Sequence, residues 1–176
     1  MLLAEADSPI GFDDRYVAEP KMDGWRMVAD VTDGYARLRT RNGTPVHVPS
    51  IAAALAQLPV SCVLDGELVY LDDEGISRLP QLIGQTGHVA YYVFDVLSVE
   101  EDDVTPMAYH VRRKLLEAFL GYAGSPVYLI PQVPGPQAAE LFDVFVAAGG
   151  EGIVLKDRTS KYYPGRRMSC WRKVKP

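Results

Sequence analysis

Residues 19–26 read EPKMDGWR and place a lysine and an aspartate two positions apart, directly before a glycine, a tryptophan and an arginine. Side chains alternate along a strand, so Lys21 and Asp23 would share one face. A solvated ion pair before a turn explains this pattern as readily as a lysine held in a cleft as a nucleophile. The rest of the chain has to decide between these two interpretations.

The overall composition is typical of a globular protein. The chain has 176 residues, of which 48% are hydrophobic and 23% are charged, and we expect residues 1–176 to form a single domain. No apolar run approaches the roughly 20 residues of a membrane span, and the opening MLLAEADSPIGF does not resemble a secretory signal. Cys62 and Cys170 follow no metal-ligand spacing, so we expect two reduced thiols in a cytoplasmic protein without membrane attachment.

The net charge of −5 is distributed unevenly. Residues 156–176 contain eight Lys or Arg and one Asp, a balance of +7, whereas the rest of the chain contains ten and twenty-two and carries −12. Such asymmetry favours a face that binds a polyanion. A solvated basic tail is the alternative, but tails rarely carry aromatic residues such as Tyr162, Tyr163 and Trp171.

Hydrophobic periodicity predicts strands arranged in hairpins and then around helices. Asp33-Gly34 has the composition of a hairpin turn. The predicted strands are 17–31, 36–41, 60–71, 89–97, 127–133, 151–156 and 170–175, and the predicted helices are 49–58 (opened by Ser50), 107–120 and 138–148. This order indicates an α+β fold with mainly antiparallel sheets.

Several predicted strands place charges on otherwise apolar faces. Asp65 and Glu67 alternate with apolar residues in one strand, and Glu151 would share a face with Ile153 and Leu155 in another. Trp171, Lys173 and Lys175 would share a face in the last strand. Buried charges without partners are costly, so several strands with this conflict predict one shared polar site.

These residues fit one chemistry, in which Lys21 attacks the α-phosphate of a nucleoside triphosphate and forms a phosphoramidate. A lysine amine is protonated near a pKa of about 10.4, so nearby cations have to help it lose the proton. Arg26, Lys173 and Lys175 would do this and would neutralise the phosphates.

The acidic and aromatic residues complete this prediction. Glu67 and Glu151 would hold a magnesium ion or the ribose, since hard cations prefer oxygen ligands. Phe94, within YYVFDVL, would stack on a purine base. The alternative for Phe94 taken alone is a place in the core.

At this point the chain resembles the covalent nucleotidyltransferases, and most closely the adenylation domain of ATP-dependent DNA ligases. KMDGWR resembles their nucleophile motif KxDGxR, and RTRNG the arginine motif that follows it. LDGELV, YYVFDVL, EGIVLK and WRKVK resemble the later motifs in the right order. The motifs span Lys21 to Lys175, and the two ends of the chain further resemble the ligase modules of bacterial end-joining enzymes.

The resemblance implies a fold of two mainly antiparallel sheets packed with helices around a nucleotide cleft, an ATP-grasp-like ligase fold. It implies that Lys21 is catalytic and carries AMP from ATP, with Mg²⁺ or Mn²⁺ as the metal. The implied nucleotide-binding residues are Glu19, Lys21, Arg26, Arg41, Glu67, Phe94, Arg167, Lys173 and Lys175. The implied metal ligands are Glu67 and Glu151, and the implied DNA-binding residues are Arg41, Arg166 and Arg167.

Alternatives remain for single residues. Glu19 would otherwise be a solvated edge residue, Arg167 part of a general basic patch, and Asp23 a structural turn residue. Lys156 stays unassigned, because alternation puts it on the face opposite Glu151.

The resemblance also implies binding partners, and the chain departs from the family pattern in two respects. Nicked double-stranded DNA is the expected substrate of a monomeric, nucleoid-associated bacterial protein. Family ligases continue into an OB-fold domain that carries a sixth motif. The sequence stops at Pro176, directly after the fifth motif, so we expect residues 1–176 to lack this domain, which would act in cis or in trans. Residues 77–86, SRLPQLIGQT, match the family only loosely. An RNA ligase, a GTP-dependent capping enzyme and a non-catalytic nick-binding module are the alternative functions.

Overall fold

The fold was obtained as a computed structural model, which describes residues 1–72, 77 and 88–176. In chain order the elements are β1 (Leu2–Glu5), β2 (Tyr16–Pro20), β3 (Trp25–Thr32), β4 (Tyr35–Thr40), β5 (Pro45–Val46), α1 (Pro49–Leu55), β6 (Cys62–Tyr70), β7 (Val89–Val99), β8 (Asp102–Asp103), α2 (Tyr109–Phe119), β9 (Val127–Leu129), β10 (Val133–Pro134), α3 (Ala138–Ala147), β11 (Ile153–Asp157) and β12 (Arg167–Val174).

The described residues group into two compact units, each built on its own sheet. The first unit comprises residues 1–22, 106–110 and 130–176, and its strand order is β1-β12-β11-β2-β10. The second comprises residues 23–105 and 111–129, and its order is β5-β4-β3-β6-β7-β8 with β9 beside β7. The pairs β1–β12 and β7–β9 are parallel and the other strand pairs are antiparallel, which confirms the predicted α+β class.

The first sheet buries one apolar face against α3. Alternate residues of its three central strands supply this face, and the amphipathic helix α3 covers it. The buried members of this core are Ala18, Ala138, Ile153, Leu155 and Val174. The opposite face is therefore left to carry polar side chains.

The second sheet also has one apolar face. Its core contains Met27 and Ala29 from β3, Leu64 from β6 and Tyr91 from β7, together with the buried sides of α1 and α2. The Tyr91 hydroxyl donates a hydrogen bond of 3.0 Å to the Met27 carbonyl oxygen across β6. Gly66 lies between them, and a Cβ there would come within 2.7 Å of the Tyr91 ring. This close approach explains the glycine inside a strand.

Most predicted elements are present, and the hairpin turn is as expected. Asp33 and Gly34 have φ of 51° and 76°, the left-handed pair of a type I′ turn. The predicted strand 17–31, however, is two strands, because residues 21–24 leave the first sheet and enter the second. The predicted strand 127–133 likewise separates into β9 in the second sheet and β10 in the first.

Other predicted boundaries were also wrong. Glu151 precedes β11 because Gly152 interrupts the strand with φ of +124°. The last strand begins at Arg167 rather than at residue 170. Helix α1 starts at Pro49 without a side-chain cap, so Ser50 does not open it, and it ends at Leu55. The predictions for residues 73–75 and 78–86 lie outside the described residues.

A buried ion pair joins α2 to the second sheet. The Arg112 guanidinium donates two hydrogen bonds of 2.8 Å to the Asp95 carboxylate, and both side chains are fully buried. Removing one partner of such a pair leaves a buried charge without compensation. This pair is a structural feature that the hydrophobic pattern did not indicate.

We expect the substitution Asp95→Ala to lower the free energy of unfolding by about 3–5 kcal/mol, because it leaves the Arg112 charge buried. Asp102→Ala is the control, since it removes an exposed carboxylate on β8 of the same unit and should change the free energy of unfolding by at most about 0.5 kcal/mol. Urea unfolding measures both values. Equal losses would contradict this account.

Candidate functional site

Lys21 directly follows the strand β2 and meets two charged residues of the same unit. Its Nζ lies 2.5 Å from an Oε of Glu151, and the other Oε of Glu151 accepts a hydrogen bond from Lys175. Partial burial raises the pKa of Glu151, but the hydrogen bonds from Lys175 and Lys21 lower it by more, so the net shift is downward. Glu151 therefore remains ionised near neutral pH and holds two ammonium groups together.

The main chain fixes this arrangement. The Lys21 N–H donates a hydrogen bond of 2.8 Å to the Gly152 carbonyl oxygen, which continues the β2–β11 ladder past the end of β2. Gly152 has φ of +124°, and a Cβ at this position would lie 2.1 Å from the Val174 carbonyl oxygen. A glycine is therefore required here, and it turns Glu151 out of the alternation of β11.

A buried ion pair lies further along the same two strands. The Lys156 Nζ is 2.7 Å from an Oε of Glu19, and the two side chains are 1% and 3% exposed. The hydroxyl of Tyr109 donates a hydrogen bond of 2.5 Å to the other Oε of Glu19. The Lys156 ammonium also lies 4.1 Å from the centroid of the Trp171 ring, where the π-face stabilises a cation.

These groups occupy the charged face of the first sheet. The register pairs Glu19 with Val154 and Val154 with Lys173 across β2, β11 and β12. Lys156 pairs with Trp171 in the same way. Paired residues in adjacent strands point to the same side of a sheet, so these side chains lie on the face opposite the α3 core.

The basic segment at the carboxyl end is partly engaged in this unit. Lys173 Nζ lies 2.9 Å from an Oε of Glu5 on β1. The Arg167 guanidinium donates a hydrogen bond to the carbonyl oxygen of Leu3, and Arg166 is exposed. Only part of the +7 charge of this segment is therefore neutralised by contacts with β1.

The predicted site residues of the second unit cluster on the polar face of its sheet. The Arg26 guanidinium donates hydrogen bonds of 3.0 and 2.6 Å to the buried Asp65 carboxylate, and its Cζ lies 5.4 Å from the Phe94 ring centroid. Glu67 is directly opposite Arg26 in the β3–β6 register. Phe94 is half-buried and is not a member of the described apolar core, which contradicts the alternative of a core residue.

Arg41 follows β4 by one residue. It is exposed and lies in the short connection to β5, where Gly43 has φ of +86°. Asp23 lies at the start of the second unit, and its backbone N–H donates a hydrogen bond of 2.9 Å to the Ser77 hydroxyl.

Sequence reasoning identified the charged residues better than it identified their partners. Glu19 is buried in an ion pair on an interior strand, so its interpretation as a solvated edge residue was wrong. Lys156, left unassigned, is its partner. Tyr109 was missed altogether, since it lies at the start of a helix with no motif around it. Lys156 lies two residues after Val154, which pairs with Glu19 in the adjacent strand. Strand alternation therefore places Lys156 on the same face as Glu19, and this spacing was the signal that could have identified it.

The described parts of the chain show no disulfide and no helix long and apolar enough to cross a bilayer. Neither Cys62 nor Cys170 is part of a disulfide within these described residues. Burial raises the pKa of the Cys62 thiol to about 12, which keeps it protonated and unreactive.

The chain matches a known family over most of its length. Residues 10–175 match the family described as ATP dependent DNA ligase domain. The multifunctional non-homologous end joining DNA repair protein LigD of Mycobacterium tuberculosis H37Rv is 33% identical over 168 residues, which cover 92% of this chain and 22% of that protein. DNA ligase C2 of Mycolicibacterium smegmatis is 34% identical over 85% of this chain and 47% of its own length. The chain thus spans less than half of these relatives.

Solved structures give the same result for the fold. Mycobacterial DNA ligase D complexed with ATP and MES has a TM-score of 0.85 and 34% identity, over 98% of this chain and 58% of that one. The ligase domain of LigD from M. tuberculosis has a TM-score of 0.79 and 32% identity, over 98% and 59%. The predicted nucleotidyltransferase fold of DNA ligases is therefore confirmed.

We expect Lys156→Met to lower the free energy of unfolding by about 3–5 kcal/mol, because it leaves the Glu19 carboxylate buried without its cation. In the double variant Lys156→Met with Glu19→Gln neither member of this pair is charged, so part of the lost free energy of unfolding should be recovered. Urea unfolding of the two single variants and the double variant gives the coupling free energy. Strictly additive losses would contradict the proposed pairing.

Proposed function

Because this chain belongs to the family of ATP-dependent DNA ligase domains, we propose that it accepts AMP from ATP on Lys21 and transfers it to the 5′-phosphate of nicked DNA. The observation that carries the proposal is the position of Lys21, whose amine lies beside Glu151 and Lys175 at the end of a charged sheet face. A 34% identical structure with the same fold is described as a complex with ATP.

The chemistry follows from a lysine nucleophile. The Lys21 amine attacks the α-phosphorus of ATP, a P–N bond forms, and the bond to the departing pyrophosphate breaks while the amine gives its protons to solvent. An oxygen of a DNA 5′-phosphate then attacks the same phosphorus and breaks the P–N bond. Attack by a 3′-hydroxyl finally closes the DNA strand and releases AMP.

Two lysines at the carboxyl end of the chain are assigned to charge neutralisation. Lys173 and Lys175 follow Trp171 on the charged side of the first sheet, and positive charge there stabilises the negative charge of the phosphates during transfer. Lys175 is 44% exposed and can leave Glu151 to meet a phosphate. Lys173 would exchange its contact with Glu5 in the same way.

We propose Glu151 in the first unit and Glu67 in the second as ligands of Mg²⁺ or Mn²⁺. Among residues 1–72, 77 and 88–176, no three His, Cys, Asp or Glu side chains cluster as a metal site. Mg²⁺ keeps several waters and usually takes one or two carboxylates together with substrate phosphates. A bound metal ion would neutralise phosphate charge, and the residues themselves would hold it in place.

The residues of the second unit are assigned to nucleotide and DNA. Phe94 would stack on the adenine, and Arg26, which Asp65 holds by two hydrogen bonds, would contact the ribose or a phosphate. Arg41 would bind the 5′-phosphate of the nick. In the first unit, the backbone at Glu19 would lie against the adenine while its carboxylate is held by Lys156 and Tyr109.

The direct test is the mass of the protein after prolonged incubation with ATP and Mg²⁺. We expect an increase equal to one AMP, which disappears in Lys21→Ala because this substitution removes the proposed nucleophile. Lys161→Ala is the matched control, since Lys161 is an exposed lysine of the same unit. An AMP adduct that persists in Lys21→Ala would refute the assignment.

The choice of nucleotide separates the alternative enzymes. Incubation with labelled ATP or GTP should label the protein from ATP alone. Label from GTP but not from ATP would favour a capping-type enzyme, and label transfer to RNA ends in preference to DNA ends would favour an RNA ligase. Absence of any label would favour a non-catalytic nick-binding module.

DNA binding should depend on the basic carboxyl-terminal segment. We expect the affinity for a nicked duplex to fall steeply between about 50 and 200 mM salt, with little sequence preference. Reversal of Arg166 and Arg167 to Glu should weaken binding, whereas Lys114→Glu, an exposed lysine on α2, should not. Fluorescence anisotropy measures the affinity. An affinity that stays constant over this range of salt concentration would contradict the electrostatic account.

A further inference from the structure

Strand β4 carries two arginines whose side chains the site described above does not use. Arg37 and Arg39 alternate with the buried Leu38, so both point away from the core of the second unit. Both are exposed, and Arg41 follows them at the same interval. Three arginines thus occur at every second residue along 37–41.

These guanidinium groups differ from the other arginines of the unit. Arg26 and Arg112 are bound by Asp65 and Asp95. Within the described part of the chain, Arg37, Arg39 and Arg41 form no ion pair. Their charge is therefore available to an external anion.

Asp30 lies near the stripe formed by Arg37, Arg39 and Arg41, and its hydrogen-bond partner is a threonine. The register places Asp30 opposite Arg37, but a carboxylate oxygen of Asp30 accepts a hydrogen bond of 3.1 Å from the Thr32 hydroxyl. Asp30, Arg37, Arg39 and His47 line one open cavity of about 430 Å³ beside β5. The cavity gives an anionic group room to approach both arginines.

The register also relates the stripe to the polar residues of the same sheet. Arg37 lies opposite Asp30 and Arg39 opposite Val28 in the β3–β4 pair, and β3 carries Arg26 on the same side. Arg26 in turn faces Glu67. The stripe therefore continues the sheet face to which we assign nucleotide and DNA contacts.

The two edges of this sheet carry opposite charge. The arginine stripe lies on β4, next to the edge strand β5, whereas β8 forms the other edge. The segment 100–103 around β8 is Glu-Glu-Asp-Asp, and all four residues are exposed. A polyanion is therefore attracted to the β4 side and repelled from the β8 side.

The spacing of the arginines suits a nucleic acid strand. A strand rises about 3.4 Å per residue, so alternate residues are about 7 Å apart. Phosphates along one DNA strand advance about 3.4 Å each along the helix axis, and because the strand winds around that axis, neighbouring phosphates are further apart than this rise, at a spacing of the same order as that of the arginines. Arginines that line up in this way can follow a phosphate backbone without reading its sequence.

We propose that Arg37 and Arg39 extend the contact of Arg41 with the nick into a stripe that binds the phosphate backbone of the flanking DNA duplex. The proposal rests on the proposed ligase function and names the part of its DNA substrate that this edge of the sheet binds. The stripe positions the duplex and has no role in the attack by Lys21.

The test compares Arg37→Gln, Arg39→Gln and the double variant with Lys114→Gln, which removes an exposed charge from α2 in the same unit. The probe is a nicked duplex that already carries 5′-AMP, and anisotropy is measured from about 50 to 200 mM salt. One phosphate contact contributes a slope of about 0.9 in log affinity against log salt. Each arginine substitution should therefore lower the slope by about 0.9 and the affinity at 100 mM salt about eightfold.

Lys114→Gln should leave both quantities unchanged, and thermal unfolding of each variant checks that the fold is retained. Wild-type protein that does not bind the duplex, arginine variants that bind like wild type, or an equal loss in Lys114→Gln would overturn the proposal. A dimer that dissociates in the arginine variants at unchanged DNA affinity would also overturn it, and would identify the acidic segment 100–103 of a second copy as the occupant.

The mass increase by AMP in the wild-type chain distinguishes the two proposals. If the chain gains AMP but its DNA affinity is unchanged by the Arg37 and Arg39 substitutions, the proposed ligase function stands and the proposed stripe is wrong. If the chain gains no AMP but binds the duplex through these arginines, the stripe stands and the catalytic assignment of Lys21 is wrong.

Discussion

The site of the first unit depends on the main-chain hydrogen bond from Lys21 to Gly152, which adds a rung to the β2–β11 ladder after β2 has ended. This bond holds Lys21 beside Glu151, which lies 130 residues later in the sequence. Because Gly152 has no Cβ, β12 can approach closely and bring Lys175 toward Glu151. The contact between lysine and carboxylate is thus a consequence of backbone pairing.

Each unit contains buried charged groups that are paired with a group of opposite charge. Glu19 with Lys156, Asp65 with Arg26 and Asp95 with Arg112 each place an almost fully buried carboxylate beside a cation. Buried pairs add little net stability compared with apolar residues, but they are costly to break. They therefore specify the positions of the strands that carry the site more than they strengthen the fold.

The sequence predicted the class of the fold and most residues of the candidate site, because strand alternation exposes charges that conflict with an apolar face. It did not predict where strands end. Residues 21–24 and 130–132 look like strand in a local window, yet the chain leaves one sheet for the other at both places. Pairing across the sheet decides these boundaries, and pairing is not visible in a local pattern. For the same reason Lys156 was left unassigned: its partner lies on another strand, 137 residues earlier.

The position of the Lys21 amine and the surfaces proposed to bind substrate depend on different features of the structure, and Gly152 belongs to the first. The location of the Lys21 amine, which we propose as the nucleophile, is set by strand register and by one residue without a side chain, whereas the faces proposed to bind base, phosphate and duplex are formed by ordinary side chains. Substitutions on these faces can therefore change what the protein binds, one surface position at a time, while the Lys21 amine stays in place. A scaffold of this kind allows substrate preference to diverge among descendants without a change in the backbone pairing that holds Lys21.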